Sequence, residues 1–116
     1  MKRAVHAVLL LVVMALLPAI TSSHPASEIK MDFDRETETL DINIIHGTPM
    51  PDSHYISTVK VYLDDTEIIV QKFSAQTGKD SQSVIYKVPG GKAGSTIRVE
   101  TACNVGGTLK KSITID

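Results

Sequence analysis

Apolar and polar residues alternate with a period of two along most of the chain after residue 24. This is the pattern of β-strands that bury one face. The alternating apolar positions are Ile29, Met31 and Phe33; Leu40, Ile42 and Ile44; Val59, Val61 and Leu63; Val84, Tyr86 and Val88; Ile97 and Val99; and Leu109, Ile113 and Ile115, while residues 66–73 form a mostly apolar run. Turn-forming sequences such as DRETET, SAQTGKDSQ, PGGKAG and NVGG separate these segments. We therefore predict an all-β fold, an immunoglobulin-like antiparallel β-sandwich of about seven strands, with no helix after the N-terminal segment.

The first 23 residues have a different character. Lys2 and Arg3 precede an apolar stretch over residues 7–17, which Pro18 ends and small residues follow. This arrangement predicts a signal peptide, residues 1–23, and a mature domain, residues 24–116, exported to the periplasm, the cell surface or the medium. Cleavage after Thr21, Ser22 or Ser23 fits the small-residue rule. A retained N-terminal anchor is the alternative, and no membrane span is expected in the mature form.

Charge and cysteine content narrow the classes of function. The chain has 12 basic and 13 acidic residues, and loss of Lys2 and Arg3 leaves 10 against 13, a net charge of −3. Nothing here resembles the basic patch of a nucleic-acid-binding protein. A single cysteine, Cys103, forbids an internal disulfide. An exported domain without disulfides depends on its core, on a metal or on oligomerisation.

The residues that can carry chemistry lie at the ends of predicted strands. His46 continues the face of Ile42 and Ile44, and Cys103 continues the face of Val99, so both are expected at an edge of the sandwich, pointing inward. His54 precedes the regular part of the next strand, and His24 precedes the first strand. Three imidazoles and one thiolate suit iron, copper or zinc.

Other interpretations of the same residues remain open. Cys103 as a nucleophile, with His46 or His54 as its base, is chemically reasonable but lacks a sequence signature. Cys103 can equally be a small core residue in a structural or adhesive sandwich without metal. There is no phosphate-binding glycine loop and no serine-centred elbow.

Three short stretches resemble the superoxide reductase family, which includes desulfoferrodoxin and neelaredoxin. They are His24-Pro25, the loop from His46 to His54 running into Tyr55-Ile56, and Cys103-Asn104 with Gly107. The resemblance implies an immunoglobulin-like sandwich with one non-haem iron bound by equatorial histidines and an axial cysteinate. It implies His24, His46, His54 and Cys103 as metal ligands, superoxide as the substrate, hydrogen peroxide as the product, and an electron donor that the sequence does not identify.

The chain departs from the family pattern in three places. Gly106 stands where the family has its last equatorial histidine. The two loop histidines are eight residues apart instead of six, so that a six-residue spacing would put Thr48 at the ligand position. Ser22 and Ser23 replace the Glu-Lys pair that the family carries before its first histidine.

Copper is the alternative metal, bound by a carrier in which His24 is the N-terminal residue after cleavage.

Overall fold

A computed structural model describes residues 24–116, which contain seven β-strands and no helix. The strands are β1 (Glu28–Asp34), β2 (Thr39–Ile45), β3 (Ile56–Leu63), β4 (Thr66–Lys72), β5 (Ser81–Lys87), β6 (Thr96–Cys103) and β7 (Thr108–Thr114). This confirms the predicted all-β class and the number of strands. The predicted signal peptide, residues 1–23, lies outside the described residues. In the described part of the chain, no helix is long and apolar enough to cross a membrane.

The strands form two antiparallel sheets, with the order β1-β2-β5 in one and β4-β3-β6-β7 in the other. The turn between β3 and β4 decides to which sheet β4 belongs. Asp64 and Asp65 both have positive φ, 46° and 66°, between the paired residues Leu63 and Thr66. This is the signature of a tight two-residue hairpin turn, and it holds β4 against β3.

The hydrophobic core lies between the sheets and follows the predicted alternation. Strand β2 buries Leu40, Ile42 and Ile44, and each has 0% of its surface exposed. The other buried residues of this core are Ala26, Ile29, Ile56, Val59, Val61, Val84, Val88, Ile97, Val99 and Ile115. The apolar run of β4 is different, because Ile68 and Val70 are exposed on this edge strand.

The pairing register brings several strand ends to one end of the sandwich. Ile45 at the end of β2 pairs with Glu28 at the start of β1 and with Ser81 at the start of β5. In the other sheet, Ile56 at the start of β3 pairs with Cys103 at the end of β6. The residues just outside these strand ends therefore share one end of the molecule, and they include all three histidines of the domain.

Candidate metal centre

Three histidines from three different segments form a compact cluster at this end of the sandwich. His24 precedes β1, His46 follows β2 and His54 precedes β3. One ligand atom from each lies within 4.8 Å of the others, and the ring centroids are separated by 4.8, 4.9 and 5.0 Å. The structure thus brings together three of the four predicted ligands.

His46 is held by a buried amide. His46 is 1% exposed, and Nδ1 of its ring lies 2.8 Å from Oε1 of Gln76. Its backbone N–H donates to the carbonyl of Asp80. Because hydrogen bonds hold both the ring and the main chain of His46, the second ring nitrogen, Nε2, has a defined direction. It lies 3.3 Å from the carbonyl oxygen of His24.

The eight-residue spacing between His46 and His54 is accommodated by the loop that joins them. His54 N–H donates to the carbonyl of Met50, which closes a local turn. Thr48 is buried, but its N–H donates to the carbonyl of Lys79 and its Oγ1 accepts from the N–H of Met50. His46 rather than Thr48 therefore belongs to the cluster, and the two additional loop residues do not displace it.

His54 carries a buried nitrogen without a partner. Its Nε2 makes no hydrogen bond and is shielded from solvent. Desolvation lowers the pKa of His54 below its ordinary value of 6.5, and the nearby His46 and His24 lower this pKa further. The imidazole is therefore held in its neutral form, which is the form that binds metals. An unpaired buried nitrogen is costly unless it has a ligand.

Asn104 fixes the main chain on both sides of His54. Its Nδ2 donates to the carbonyl of Ser53 at 2.9 Å, and its Oδ1 accepts from the N–H of Tyr55 at 2.8 Å. Because Asn104 directly follows Cys103, these bonds attach the His54 segment to the end of β6.

His24 is positioned through its neighbour, Pro25. A Cβ atom at Gly107 would lie 2.7 Å from the backbone nitrogen of Pro25, so this close approach is open only to glycine. The His24 ring places Nδ1 3.1 Å from the carbonyl oxygen of Pro25. Since a carbonyl oxygen only accepts, Nδ1 is the protonated nitrogen in this contact and Nε2 is free to bind a ligand.

Cys103 lies at the same end of the sandwich but is not a member of the close cluster. Its side chain is buried, 6% exposed, and its Sγ is 4.0 Å from Oδ1 of Asn104. Its N–H donates to the carbonyl of Gly107. The inward orientation inferred from strand parity agrees with this burial, whereas its role as a ligand stays a prediction.

Gly106, where the resemblance to superoxide reductases would place a fourth histidine, has a backbone suited to glycine. Gly106 has a φ of 134° and Gly107 a φ of 94°, a region that residues with a side chain rarely adopt. A histidine at position 106 would therefore not adopt this loop conformation without strain.

Sequence reasoning did not identify Gln76 or the structural role of Asn104. Gln76 lies in the polar loop between β4 and β5, where no local pattern distinguishes it from its neighbours. Asn104 stands out in the sequence only as part of the Cys103-Asn104 stretch. Gln76 reaches His46 across 30 residues of sequence and Asn104 reaches Ser53 across 51, so only the fold reveals either contact.

The donor set fits a transition-metal ion. The cluster offers three imidazoles from residues 24–116 and includes no carboxylate, and imidazole is a common ligand of iron, copper and zinc. Nε2 of His54 has no hydrogen-bond partner, and such an ion would bind to it. The fold and this cluster together describe a β-sandwich with a histidine-rich candidate metal centre at one end.

Comparison with known proteins identifies the fold. No protein-family model matches the chain, and no curated protein matches its sequence significantly. Among solved structures, the chain is similar to a superoxide reductase (1Fe-SOR) from Giardia intestinalis, with a TM-score of 0.61 and 17% sequence identity. The similarity covers 78% of this chain and 99% of that protein. The chain therefore has a superoxide reductase-like fold.

Proposed function

We propose that this protein binds one transition-metal ion through His24, His46 and His54 at the end of an exported superoxide reductase-like domain. The observation that carries the proposal is the convergence of three imidazoles, one with a buried Nε2 that has no partner. Nδ1 of His24 and Nδ1 of His46 are engaged in hydrogen bonds. Nε2 of each ring is therefore the nitrogen that would bind the metal. All three histidines would then bind through the same ring atom.

Iron is the metal that the structural similarity favours. With iron bound, Cys103 is proposed as the additional ligand, because it is the one buried thiol at this end of the sandwich. A thiolate ligand would increase the electron density on iron and so favour electron transfer to a bound oxygen species. Gly106 leaves the coordination one imidazole short of the family pattern.

Reduction of superoxide to hydrogen peroxide is the activity proposed for the iron-loaded protein. A bound ferrous ion would supply the single electron that superoxide needs, two protons would complete hydrogen peroxide, and an external donor of unknown identity would restore the ferrous state. What supports this activity is the similarity in fold to a superoxide reductase. The chain's own contribution is a cluster of imidazoles, which, unlike carboxylate ligands, bring no negative charge that would repel the superoxide anion.

The first experiment measures metal binding by the full-length chain produced without a histidine tag. After loading with Fe(II), Cu(II) or Zn(II) and removal of excess metal, we expect about one equivalent bound. His46→Ala and His54→Ala should each strongly reduce the amount of bound metal. Tyr86→Phe, which removes a hydrogen bond between β5 and β4, should not. Retention of less than about a tenth of an equivalent of every metal by the wild type would contradict metal binding.

The proposed activity needs a separate measurement. If Cys103 is an iron ligand, oxidation of the ferrous protein should produce a thiolate-to-iron charge-transfer band, which Cys103→Ser should abolish. Superoxide consumption with hydrogen peroxide formation should depend on iron and on His54. An iron-loaded protein without that band and without activity would retain the metal site but not the superoxide reductase role.

Copper carriage is the second candidate function, and the composition of the cluster favours it. The three closely spaced ligand atoms are all nitrogens, and the thiol lies outside their group. If cleavage follows Ser23, the α-amine of His24 becomes a further nitrogen donor next to its own imidazole. N-terminal sequencing of the exported protein tests this directly, because a mature chain that begins at Ser22 or Ser23 lacks this amine on His24.

A further inference from the structure

The side-chain amide of Gln76 is buried between the histidine cluster and the loop after β4. Gln76 is 7% exposed. Its Nε2 donates to the carbonyl of His46 at 2.7 Å and to the carbonyl of Gly78 at 2.8 Å. Its Oε1 lies 2.8 Å from Nδ1 of His46 and 3.2 Å from the backbone nitrogen of Ile56. One amide thus makes four contacts, and two of them are to the same histidine.

The partners of this amide determine its orientation. Carbonyl oxygens accept hydrogen bonds, so the atom that faces His46 O and Gly78 O must be the NH₂ group. The oxygen Oε1 then faces the N–H of Ile56, which is a donor, and the ring of His46. An acceptor at 2.8 Å requires a donor, so Nδ1 of His46 carries the proton.

The contact on the other side of the ring is weaker. Nε2 of His46 lies 3.3 Å from the carbonyl oxygen of His24, which would favour a proton on Nε2. The contact of Nδ1 with Gln76 is shorter, 2.8 Å, and fully buried. The shorter bond decides the neutral tautomer, because a lone pair of Nδ1 facing Oε1 at that distance would be repulsive.

We infer that Gln76 is a positioning residue that fixes the tautomer and the orientation of His46 so that Nε2 points into the cluster. This inference rests on the proposed metal site. Gln76 acts through His46, whose Nδ1 its Oε1 contacts. Outer partners of this kind hold ligating histidines in one tautomer and raise metal affinity.

The same residue also organises the segment that carries His54. Gln76 N–H donates to the carbonyl of Pro51 in the loop before His54, and Oε1 accepts from Ile56, two residues after it. Gln76 therefore connects the end of β2, the intervening loop and the start of β3. Gln76 thus hydrogen bonds to the main chain of His46 and to the main chain on both sides of His54.

The chain offers a matched control in Gln82. Gln82 is also buried, 1% exposed. Its Oε1 accepts from the N–H of Thr77 and its Nε2 donates to the carbonyl of Ser83, both at 3.1 Å. It hydrogen bonds to Thr77, the residue after Gln76, but to no histidine, so replacing it removes a buried amide without removing a hydrogen bond to the cluster. Gln82→Leu therefore reports the general cost of such a change.

The first test measures the tautomer of His46 in the metal-free full-length protein by the ¹⁵N shifts of its ring nitrogens, assigned with His6→Gln, His24→Gln and His54→Gln variants. We expect a protonated Nδ1 and an unprotonated Nε2 in the wild type and in Gln82→Leu. Gln76→Leu should lose this preference. A wild-type His46 that is protonated at Nε2 alone overturns the inference, even if the protein binds metal.

The second test measures the affinity for Zn(II), or for the metal that binds tightest. Gln76→Leu should lower the affinity about 10- to 100-fold, whereas Gln82→Leu should leave it near the wild-type value. Equal losses of metal affinity in Gln76→Leu and Gln82→Leu would mean that Gln76 is only a structural residue, which overturns the inference. If the wild type binds no metal, the proposed function fails, and the tautomer measurement alone still decides the role of Gln76.

Discussion

Tyr55 and Asn104 are joined by a reciprocal pair of hydrogen bonds across the end of the β3–β6 ladder. Tyr55 N–H donates to Oδ1 of Asn104 at 2.8 Å, and Asn104 N–H donates to the carbonyl of Tyr55 at 3.0 Å. Nδ2 of Asn104 reaches Ser53 on the other side of His54. The residue after the only cysteine thus holds the chain on both sides of a candidate ligand.

Replacing Asn104 by alanine should loosen the His54 segment. The variant loses two side-chain hydrogen bonds, each worth about 1 kcal/mol, and we expect the free energy of unfolding to fall by about 1–2 kcal/mol. Metal affinity should fall about tenfold or more, because His54 is no longer preorganised. Isothermal titration and denaturant unfolding measure the two effects.

The control for this prediction is Asn43→Ala. Asn43 lies in β2, where its Oδ1 accepts one hydrogen bond from the hydroxyl of Ser83. Its replacement should change stability slightly and leave metal affinity unaltered. An Asn104→Ala protein with wild-type affinity would show that Asn104 does not position His54.

The pKa of Tyr86 should lie well above the ordinary value for a tyrosine. It lies in β5 and donates a 2.6 Å hydrogen bond to Oε1 of Gln71 in β4, so it connects the two sheets. Burial raises its pKa from 10.0 to about 12. The folded state therefore favours the neutral phenol. The stability that this group contributes is present below pH 10 and is lost as the pH rises from 10 towards 12.

An ultraviolet titration of tyrosinate checks this expectation. In the folded protein, a tyrosine should ionise near pH 12, and Tyr86→Phe should remove that late step. The free energy of unfolding of the wild type should decline over the same pH range, and more steeply than that of Tyr86→Phe. A late step that persists in the variant would assign it to another tyrosine.

Much of the fold could be predicted because the core alternates so regularly. Leu40, Ile42 and Ile44 are fully buried as their period-two pattern requires. The pattern did not reveal which sheet each strand joins, since that depends on turns such as Asp64-Asp65 with its two positive φ angles. Likewise, the apolar run of β4 gave no sign that Ile68 and Val70 would be exposed, because an edge strand and a buried strand can have the same local sequence.

The site was predictable only for residues whose type suggests metal chemistry. His24, His46 and His54 could be selected as the only histidines of the domain, and strand parity placed His46 correctly at an inward position. The contacts that orient them come from Gln76, Asn104 and Gly107, whose residue types are common in loops. Their functions depend on contacts between segments distant in sequence, which no local pattern encodes.

Introducing a histidine at position 106, where the resemblance would place one, should not give a stronger site. Gly106 has a φ of 134°, so Gly106→His should introduce backbone strain of about 1–3 kcal/mol. We expect a lower unfolding temperature and no gain in iron affinity. Val105→His places an imidazole on the neighbouring exposed position without a positive φ and should be tolerated. A large gain in affinity with Gly106→His would mean that the loop readily adopts a second conformation.

Replacing Gly107 by alanine should separate His24 from the cluster. The new Cβ would lie 2.7 Å from the nitrogen of Pro25 and 2.8 Å from its Cδ, and φ is +94°. Both backbone strain and a collision with the segment that carries His24 are therefore expected. Gly94→Ala is the matched control, because Gly94 has a φ of +90° and open space around its Cβ position. Both variants should lose about 1–3 kcal/mol of stability through strain, but only Gly107→Ala should also lose metal affinity. If the two variants lose the same stability and retain the same affinity, the contact between Gly107 and Pro25 does not place His24 at the metal.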